Sequence, residues 1–242
     1  VAHFYINELL DTAEVGSRVA IAGPEARHAV TVSRLAVGES VSIGNGRGLV
    51  VTGSVVTAEH TELAIEVAAV NEVPRSEPAI FLAQALAKGD RDEFAVQAAT
   101  ELGVDGVIPW SAGRSISRWE GAKIAKGHDR WSAIVREATK QSIRAWLPDV
   151  LDLATTAQLA RLASETRMLI LEPTADVALS AIDADERDIV LVVGPEGGIA
   201  PNERAAFTAA GATLVRLGDT VLRTSTAGPA AIAMLNAKLG RW

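Results

Sequence analysis

The sequence predicts an α/β protein in two parts, a small β-barrel over residues 1–73 and a larger strand–helix domain over residues 74–242. Three observations predict it. Residues 15–70 hold short β-branched runs broken by turn signals. After residue 78, apolar runs alternate with helical patterns, as in a parallel sheet covered by helices on both faces. Between these regions, Glu72-Val73-Pro74-Arg75-Ser76-Glu77-Pro78 has the prolines and charges of a linker.

The barrel strands are VGSRVAIAG, ESVSIGNGRG, LVVTGSVVTA and TELAIEVAAV, with Gly38-Glu39 and the hairpin-type pair Asn45-Gly46 as punctuation. One helix interrupts them around Pro24–Leu35. Several short strands with turns suggest closure into a barrel. In the second part, AIFLAQAL, VDGVIPW, RMLILEP, DIVLVVG and ATLVRLG read as fully buried strands. Asp90 and Glu93 have capping-box spacing ahead of a helix over Phe94–Leu102, which Gly103 ends. Pro201 suits a first helical turn and Gly211 closes that helix. Thr226–Leu239 forms the final helix.

Composition narrows the function. The 242 residues are 48% hydrophobic and 22% charged, which supplies a core and excludes wholesale disorder. No uncharged apolar run approaches the roughly 18 residues of a membrane span. The first residues carry acids and lack the basic and apolar blocks of a secretory signal, so the expected setting is the cytoplasm. There is no cysteine, which removes disulfides and thiolate chemistry, and the four histidines show no ligand spacing, so no metal is expected.

The net charge of −7 argues against indiscriminate coating of nucleic acid, but the charge is uneven. Residues 114–144 hold eight Lys or Arg against three Asp or Glu, net +5. Within them, residues 128–146 place Trp131, Ile134, Val135, Ala138 and Ala145 at helical spacing, which supplies a buried face. Arg136, Lys140 and Arg144 fall four apart on one line of that helix, where like charges repel. A solvated surface or an anionic partner accounts for such a line. Gln141 and Ser142 lie beside it, suited to hydrogen-bond phosphate or a base edge.

The buried run Val190–Val193 leads into Gly194-Pro195-Glu196-Gly197-Gly198-Ile199-Ala200-Pro201. Glycine loops at the carboxyl ends of parallel strands border ligand sites, because missing Cβ atoms allow close approach to the backbone. The run is neither a P-loop nor a dinucleotide fingerprint. Leu171-Glu172-Pro173 ends another strand, and Leu217-Gly218-Asp219-Thr220-Val221-Leu222-Arg223-Thr224-Ser225-Thr226 follows a third. Three such loops form one pocket of backbone groups and aliphatic side chains, suited to an adenine ring.

These residues resemble the SPOUT RNA methyltransferases. Gly194–Gly198 after a buried strand, then Leu217-Gly218 and Val221-Leu222-Arg223-Thr224 with Thr226-Ala227 leading into the last helix, carry the likeness. It runs along nearly the whole chain: His28, Val32, Arg34-Leu35 and Gly38-Glu39, then Lys88-Gly89-Asp90, Glu101–Val104, Ile108-Pro109, Arg114-Ser115, and finally Trp131, Glu137-Ala138, Gln141-Ser142, Arg144 and Pro148. The resemblance implies an N-terminal PUA-like barrel, a C-terminal SPOUT domain with a trefoil knot, and a homodimer. It implies S-adenosyl-L-methionine held by Leu171, Glu172, Pro173, Gly194, Glu196, Gly197, Gly198, Ile199, Leu217, Gly218, Val221, Leu222, Thr224 and Thr226. It also implies methylation of uridine N3 in 16S ribosomal RNA of the small subunit. One departure is Ser225, where the family often carries glutamate; this leaves no base assigned at that position.

Uridine N3 must shed a proton to become nucleophilic, and a cation that stabilises the uridinate oxygens helps. Arg136 and Arg223 are the candidates, and Arg223 has a loop-holding role as its alternative. Glu196 is a candidate base or a helix cap. Arg34, Arg114, Lys140, Gln141 and Arg144 are the expected RNA contacts. Because N3 lies on the Watson–Crick edge, the target base must be unpaired. Two rival readings stand beside this one: a non-enzymatic RNA-binding protein on the same fold, and a dinucleotide-dependent oxidoreductase.

Overall fold

Alternation of apolar and polar residues sets the first sheet. In the computed structural model, which describes residues 3–183 and 185–242, five strands form it: β1 (His3–Ile6), β2 (Arg18–Ala22), β3 (Ser40–Gly44), β4 (Leu49–Ala58) and β5 (Glu62–Glu72). Their order is β1-β3-β4-β5-β2, with β1 parallel to β3 and the other pairs antiparallel. Val41, Ile43, Val51, Val55, Leu63 and Ile65 face the core, while Ser42 and Thr52 meet on the other face with hydroxyl oxygens 2.8 Å apart. The β4–β5 ladder slips at Thr52/Gly53. A Cβ on Gly53 would lie 2.0 Å from the Glu66 carbonyl oxygen, so only glycine allows this approach. Asn7, just after β1, links the two edge strands by donating from Nδ2 to Ala20 O of β2 at 2.8 Å. The expected helix at Pro24–Leu35 is α1 (Gly23–Arg27), running into a π-helical turn over His28–Val32, followed by Arg34 at φ +55°.

The strands of the second sheet are β6 (Ile80–Ala85), β7 (Gly106–Ser111), β8 (Asp149–Val150), β9 (Ala154–Thr155), β10 (Arg167–Leu171), β11 (Ile189–Val193) and β12 (Thr213–Val215). It is wholly parallel, in the order β12-β10-β11-β6-β7-β8, with β9 also on β7. The five apolar runs each supply a strand. Helices are α2 (Arg91–Glu101), α3 (Ala122–Gln141), α4 (Thr156–Arg161), α5 (Pro201–Ala209) and α6 (Thr224–Lys238). Ala83, Ala85, Ile108, Trp110, Val190 and Val192 pack with Leu159 of α4 and Phe207 of α5. Leu82 and Gln84 point the opposite way, toward Gly228 and Thr224 of α6. Helices therefore cover both faces. Trp110 and Phe207 meet edge-to-face at 5.4 Å.

Two local expectations change. At the start of α2, Asp90 makes no side-chain cap, and Glu93 binds Arg130 of α3 rather than closing a capping box. The acceptor there is the buried Asp92, whose carboxylate takes the N–H groups of Ala87 (3.2 Å) and Glu93 (2.9 Å). Helix α3 begins earlier than expected and stops at Gln141, with Ile143 at φ +56°, so Arg144 leaves the line of Arg136 and Lys140 and Ala145 lies outside the helix. Trp131, Val135 and Ala138 are buried as the pattern requires. Contacts divide the chain into two units, and the smaller, through Arg75, is completed by Thr139–Leu147 from later in the sequence.

Candidate functional site

Strand register builds the site in the second unit. Leu171 at the end of β10 stands level with Val193 of β11 and Val215 of β12, and Val193 stands level with Gln84 of β6. Because all four strands are parallel, their carboxyl ends share one edge and their loops leave it together. Between the loops after β10, β11 and β12 lies a hollow of about 480 Å³. Leu171, Pro173, Val193, Ile199, Val215, Leu217, Val221 and Leu222 give it aliphatic walls, and Arg91, Glu172, Glu196, Arg216 and Arg223 supply its charges.

Hydrogen bonds lock the loops. Gln84 is fully buried and donates from Nε2 to the Thr224 hydroxyl at 2.8 Å; that hydroxyl donates to Gly194 O at 2.8 Å. One relay thus joins β6, the first turn of α6 and the glycine loop, while Gln84 Oε1 stays buried with no protein donor. Glu172 N donates to Val215 O at 2.9 Å, and its carboxylate pairs with Arg204 at 3.1 Å. Glu203 seals the neighbouring turn, accepting from Gly113 N, Thr156 Oγ1 and Ala200 N.

Glu196 accepts from Lys88 N at 3.0 Å and from Arg91 Nη1 at 2.8 Å. Partial burial works against its charge, but the backbone N–H groups of Glu196 and Lys88 and the Arg91 guanidinium outweigh it and hold the carboxyl below the usual carboxylate range. Asp92, just inside α2, behaves oppositely: burial pushes its carboxyl up to about 6 despite the backbone N–H groups of Ala87 and Glu93.

Residues 74–236 match the RNA methyltransferase domain family, and residues 21–67 match the RNA methyltransferase PUA domain. The chain is 40% identical to ribosomal RNA small subunit methyltransferase E of Mycobacterium bovis, over 99% of this chain and 92% of that one. It belongs to that family. The family's enzyme from Bacillus subtilis is 27% identical over 93% and 91% of the two chains. The crystal structure of the Neisseria gonorrhoeae member, bound to S-adenosyl methionine, superposes with a TM-score of 0.87 at 29% identity, covering 98% of each chain. The smaller unit is the family's PUA-like part and the larger its SPOUT α/β part.

Against the expectations for a methyltransferase E, the hollow gathers Leu171, Glu172, Pro173, Gly194, Glu196, Gly198, Ile199, Leu217, Gly218, Val221, Leu222 and Thr224 on one wall or another, with the catalytic candidate Arg223 beside them. Gly197 and Thr226 are not among its lining residues. A Cβ on Gly197 would meet Arg114 Cβ at 3.3 Å, so its bare side faces Arg114. Arg114 donates from Nη1 to Gly197 O at 3.0 Å, which places this RNA candidate against the glycine loop.

Arg136 sits half-buried on α3 and does not line the hollow. Lys140 pairs with Glu25 at 3.3 Å with most of its side chain covered, a fixed contact inside the smaller unit. Gln141 is exposed at the end of α3, Arg144 is half-buried beyond it, and Arg34 is exposed after the π-helical turn. Sequence reasoning missed Arg91, Arg216 and Gln84. Arg91 and Arg216 reach the hollow from outside the three loop motifs or just before one; Gln84 had a readable signal, a polar residue in an otherwise apolar strand.

Proposed function

We propose that this chain methylates N3 of a uridine in 16S ribosomal RNA of the small subunit, using S-adenosyl-L-methionine. The hollow at the level ends of β10, β11 and β12 carries the reading. Its volume suits a nucleoside-sized ligand, and its aliphatic walls suit an adenine ring. Leu171, Glu172, Pro173, Gly194, Glu196, Gly198, Ile199, Leu217, Gly218, Val221, Leu222 and Thr224 would hold it. Gly197 is held in the loop by the bond from Arg114 to its carbonyl, and Thr226 lies exposed in the first turn of α6. When bound, S-adenosylmethionine supplies a methyl group on a positively charged sulfur that leaves readily.

The chain's own residues do the rest by position and charge. Arg223, exposed at the N-cap of α6 on the rim of the hollow, stabilises the oxygens of a uridine that has lost its N3 proton. Arg136 supplies a second cation on the RNA side, and Arg34, Arg114, Gln141 and Arg144 contact the RNA around the target, while Lys140, covered and paired with Glu25, holds the end of α3 instead. Glu196 is a poor base, because Arg91 and the Lys88 N–H already hold its carboxylate and keep it ionised. The family fold also supports a trefoil knot in residues 74–242, a PUA-like RNA-binding domain in residues 1–73, a homodimer and a cytoplasmic setting with the ribosome.

The test is transfer of labelled methyl from S-adenosylmethionine to small subunits from a strain lacking the gene, followed by mass spectrometry of the product. A methyl group on uridine N3 supports the reading. Cofactor binding with no incorporation points to an RNA-binding protein without chemistry, and binding of NADH in its place points to an oxidoreductase.

A further inference from the structure

We propose that Glu203 is a positioning residue that ties the RNA side of the site to the cofactor side, so that RNA and S-adenosylmethionine each tighten the binding of the other. The inference rests on the substrate and cofactor readings above, and every residue it uses belongs to the larger unit.

Glu203 is the third residue of α5, and only 5% of its surface is exposed. Its Oε1 accepts from Gly113 N at 2.8 Å and from the Thr156 hydroxyl at 2.7 Å, and its Oε2 accepts from Ala200 N at 3.1 Å. The Thr156 oxygen is fixed in turn by the indole N–H of the fully buried Trp110, at 3.2 Å. The carboxylate is therefore anchored to the core and reaches two different turns. Gly113 precedes Arg114 in the turn after β7, and Ala200 follows Ile199, which lines the hollow. Three donors converge on one side chain, so the position calls for acceptors alone.

Arg114 makes the second tie between the same two turns. It is exposed and donates from Nη1 to Gly197 O at 3.0 Å, and among the described residues it pairs with no carboxylate. Arg118, likewise exposed and without a carboxylate partner there, donates to Gly113 O at 3.4 Å. A guanidinium carries five N–H donors in a planar fork, so Arg114 can keep Gly197 O on one edge and take an RNA phosphate oxygen on another. The glycine loop is costly to order, because Gly197 and Gly198 restrain the backbone little, and Gly198 holds φ +70°. Once RNA has fixed Arg114, part of that ordering no longer falls to the cofactor, and linkage makes the effect reciprocal. Without Glu203, Arg114 would follow the RNA and leave Gly197 behind. With it, the two turns keep one spacing.

The experiment uses the full chain and S-adenosylhomocysteine, the cofactor without its transferable methyl group. Its affinity is measured by equilibrium dialysis with and without saturating unmethylated small subunits, for the parent, Glu203→Gln and Arg114→Lys. KM, kcat and urea stability accompany each. The parent should bind about tenfold more tightly when subunits are present. Glu203→Gln sets an N–H donor against one of the three converging donors. It should reduce the gain to about threefold or less and raise KM for subunits, with the free chain's cofactor affinity within about twofold of the parent. Arg114→Lys keeps the charge but not the fork, and should lose the gain as well. A purely structural glutamate would instead lower stability and both affinities together and leave the gain intact. No gain in the parent, or a parent-like gain in Glu203→Gln, overturns the proposal. If Glu203→Gln fails to fold, a parent-like gain in Arg114→Lys overturns it instead. Methyl transfer to uridine N3 with independent binding removes the coupling alone, whereas coupled binding without transfer keeps it and removes the proposed reaction.

Discussion

The Arg114 guanidinium donates to the carbonyl of Gly197 at 3.0 Å, and the stem of the same arginine fills the space where a Gly197 side chain would stand. Seen from the sequence, a side chain at Gly197 should obstruct the cofactor directly. In the fold it would push on Arg114 instead, whereas a Cβ on Gly194 would meet Ile199 Cγ1 at 2.7 Å inside the hollow's own wall. Gly194→Ala should therefore weaken S-adenosylmethionine by about tenfold or more, the effect expected when about 1.4 kcal/mol is lost. Gly197→Ala should change that affinity by less than about threefold while raising KM for RNA. Calorimetry on both variants decides it; the reverse order would put Gly197 in the ligand's path.

Arg136 lies outside the lining of the hollow. Arg136→Ala should lower kcat/KM for small subunits by at least about tenfold, with cofactor affinity within about twofold of the parent. Parallel loss of both would move α3 from the RNA to the cofactor.

The Gln84–Thr224–Gly194 relay predicts an asymmetry between two small changes. Thr224→Val leaves the Gln84 amide and the Gly194 carbonyl without their shared hydroxyl and should cost about 2 kcal/mol in urea unfolding. Thr224→Ser keeps the hydroxyl and should cost less than about 1 kcal/mol. Equal losses would mean that the methyl, and not the hydrogen bonds, holds the start of α6.

Asp92 gives a pH signature. Its carboxyl titrates at about 6 in the folded chain, above its unfolded value, because burial disfavours the charge. The folded state therefore holds the proton more tightly. The contribution to stability is complete below the unfolded value and is lost as pH rises through 6, leaving a cost of about 3 kcal/mol at neutrality. Asp92→Asn removes this titration. Urea unfolding between about pH 4 and pH 7 should show the parent losing ground to the variant as pH rises. A constant gap would assign the effect to something other than a buried charge.

Much of the fold was legible because burial writes a simple pattern. The runs around Ile80, Ile108, Leu169, Leu191 and Leu214 are apolar on both sides, and each is a strand of the parallel sheet. The three loops of the hollow were readable from glycine and from strand ends. What escaped notice depends on partners distant in sequence. Glu93 has capping-box spacing, but Arg130 claims its carboxylate from another helix. Arg144 follows Lys140 by four residues, but the helix ends between them. Gln84 stood out as polar within its strand, yet its meaning lies in Thr224, a residue 140 positions away.

The smaller unit takes Thr139–Leu147 from beyond the start of the larger one. A growing chain emerging from the ribosome thus has β1 to β5 in hand long before Lys140 can reach Glu25 or Trp146 can cover Gly48. The first half cannot be finished until much of the second has been made, and cutting the protein at residue 75 would not release an intact domain but one missing its last piece.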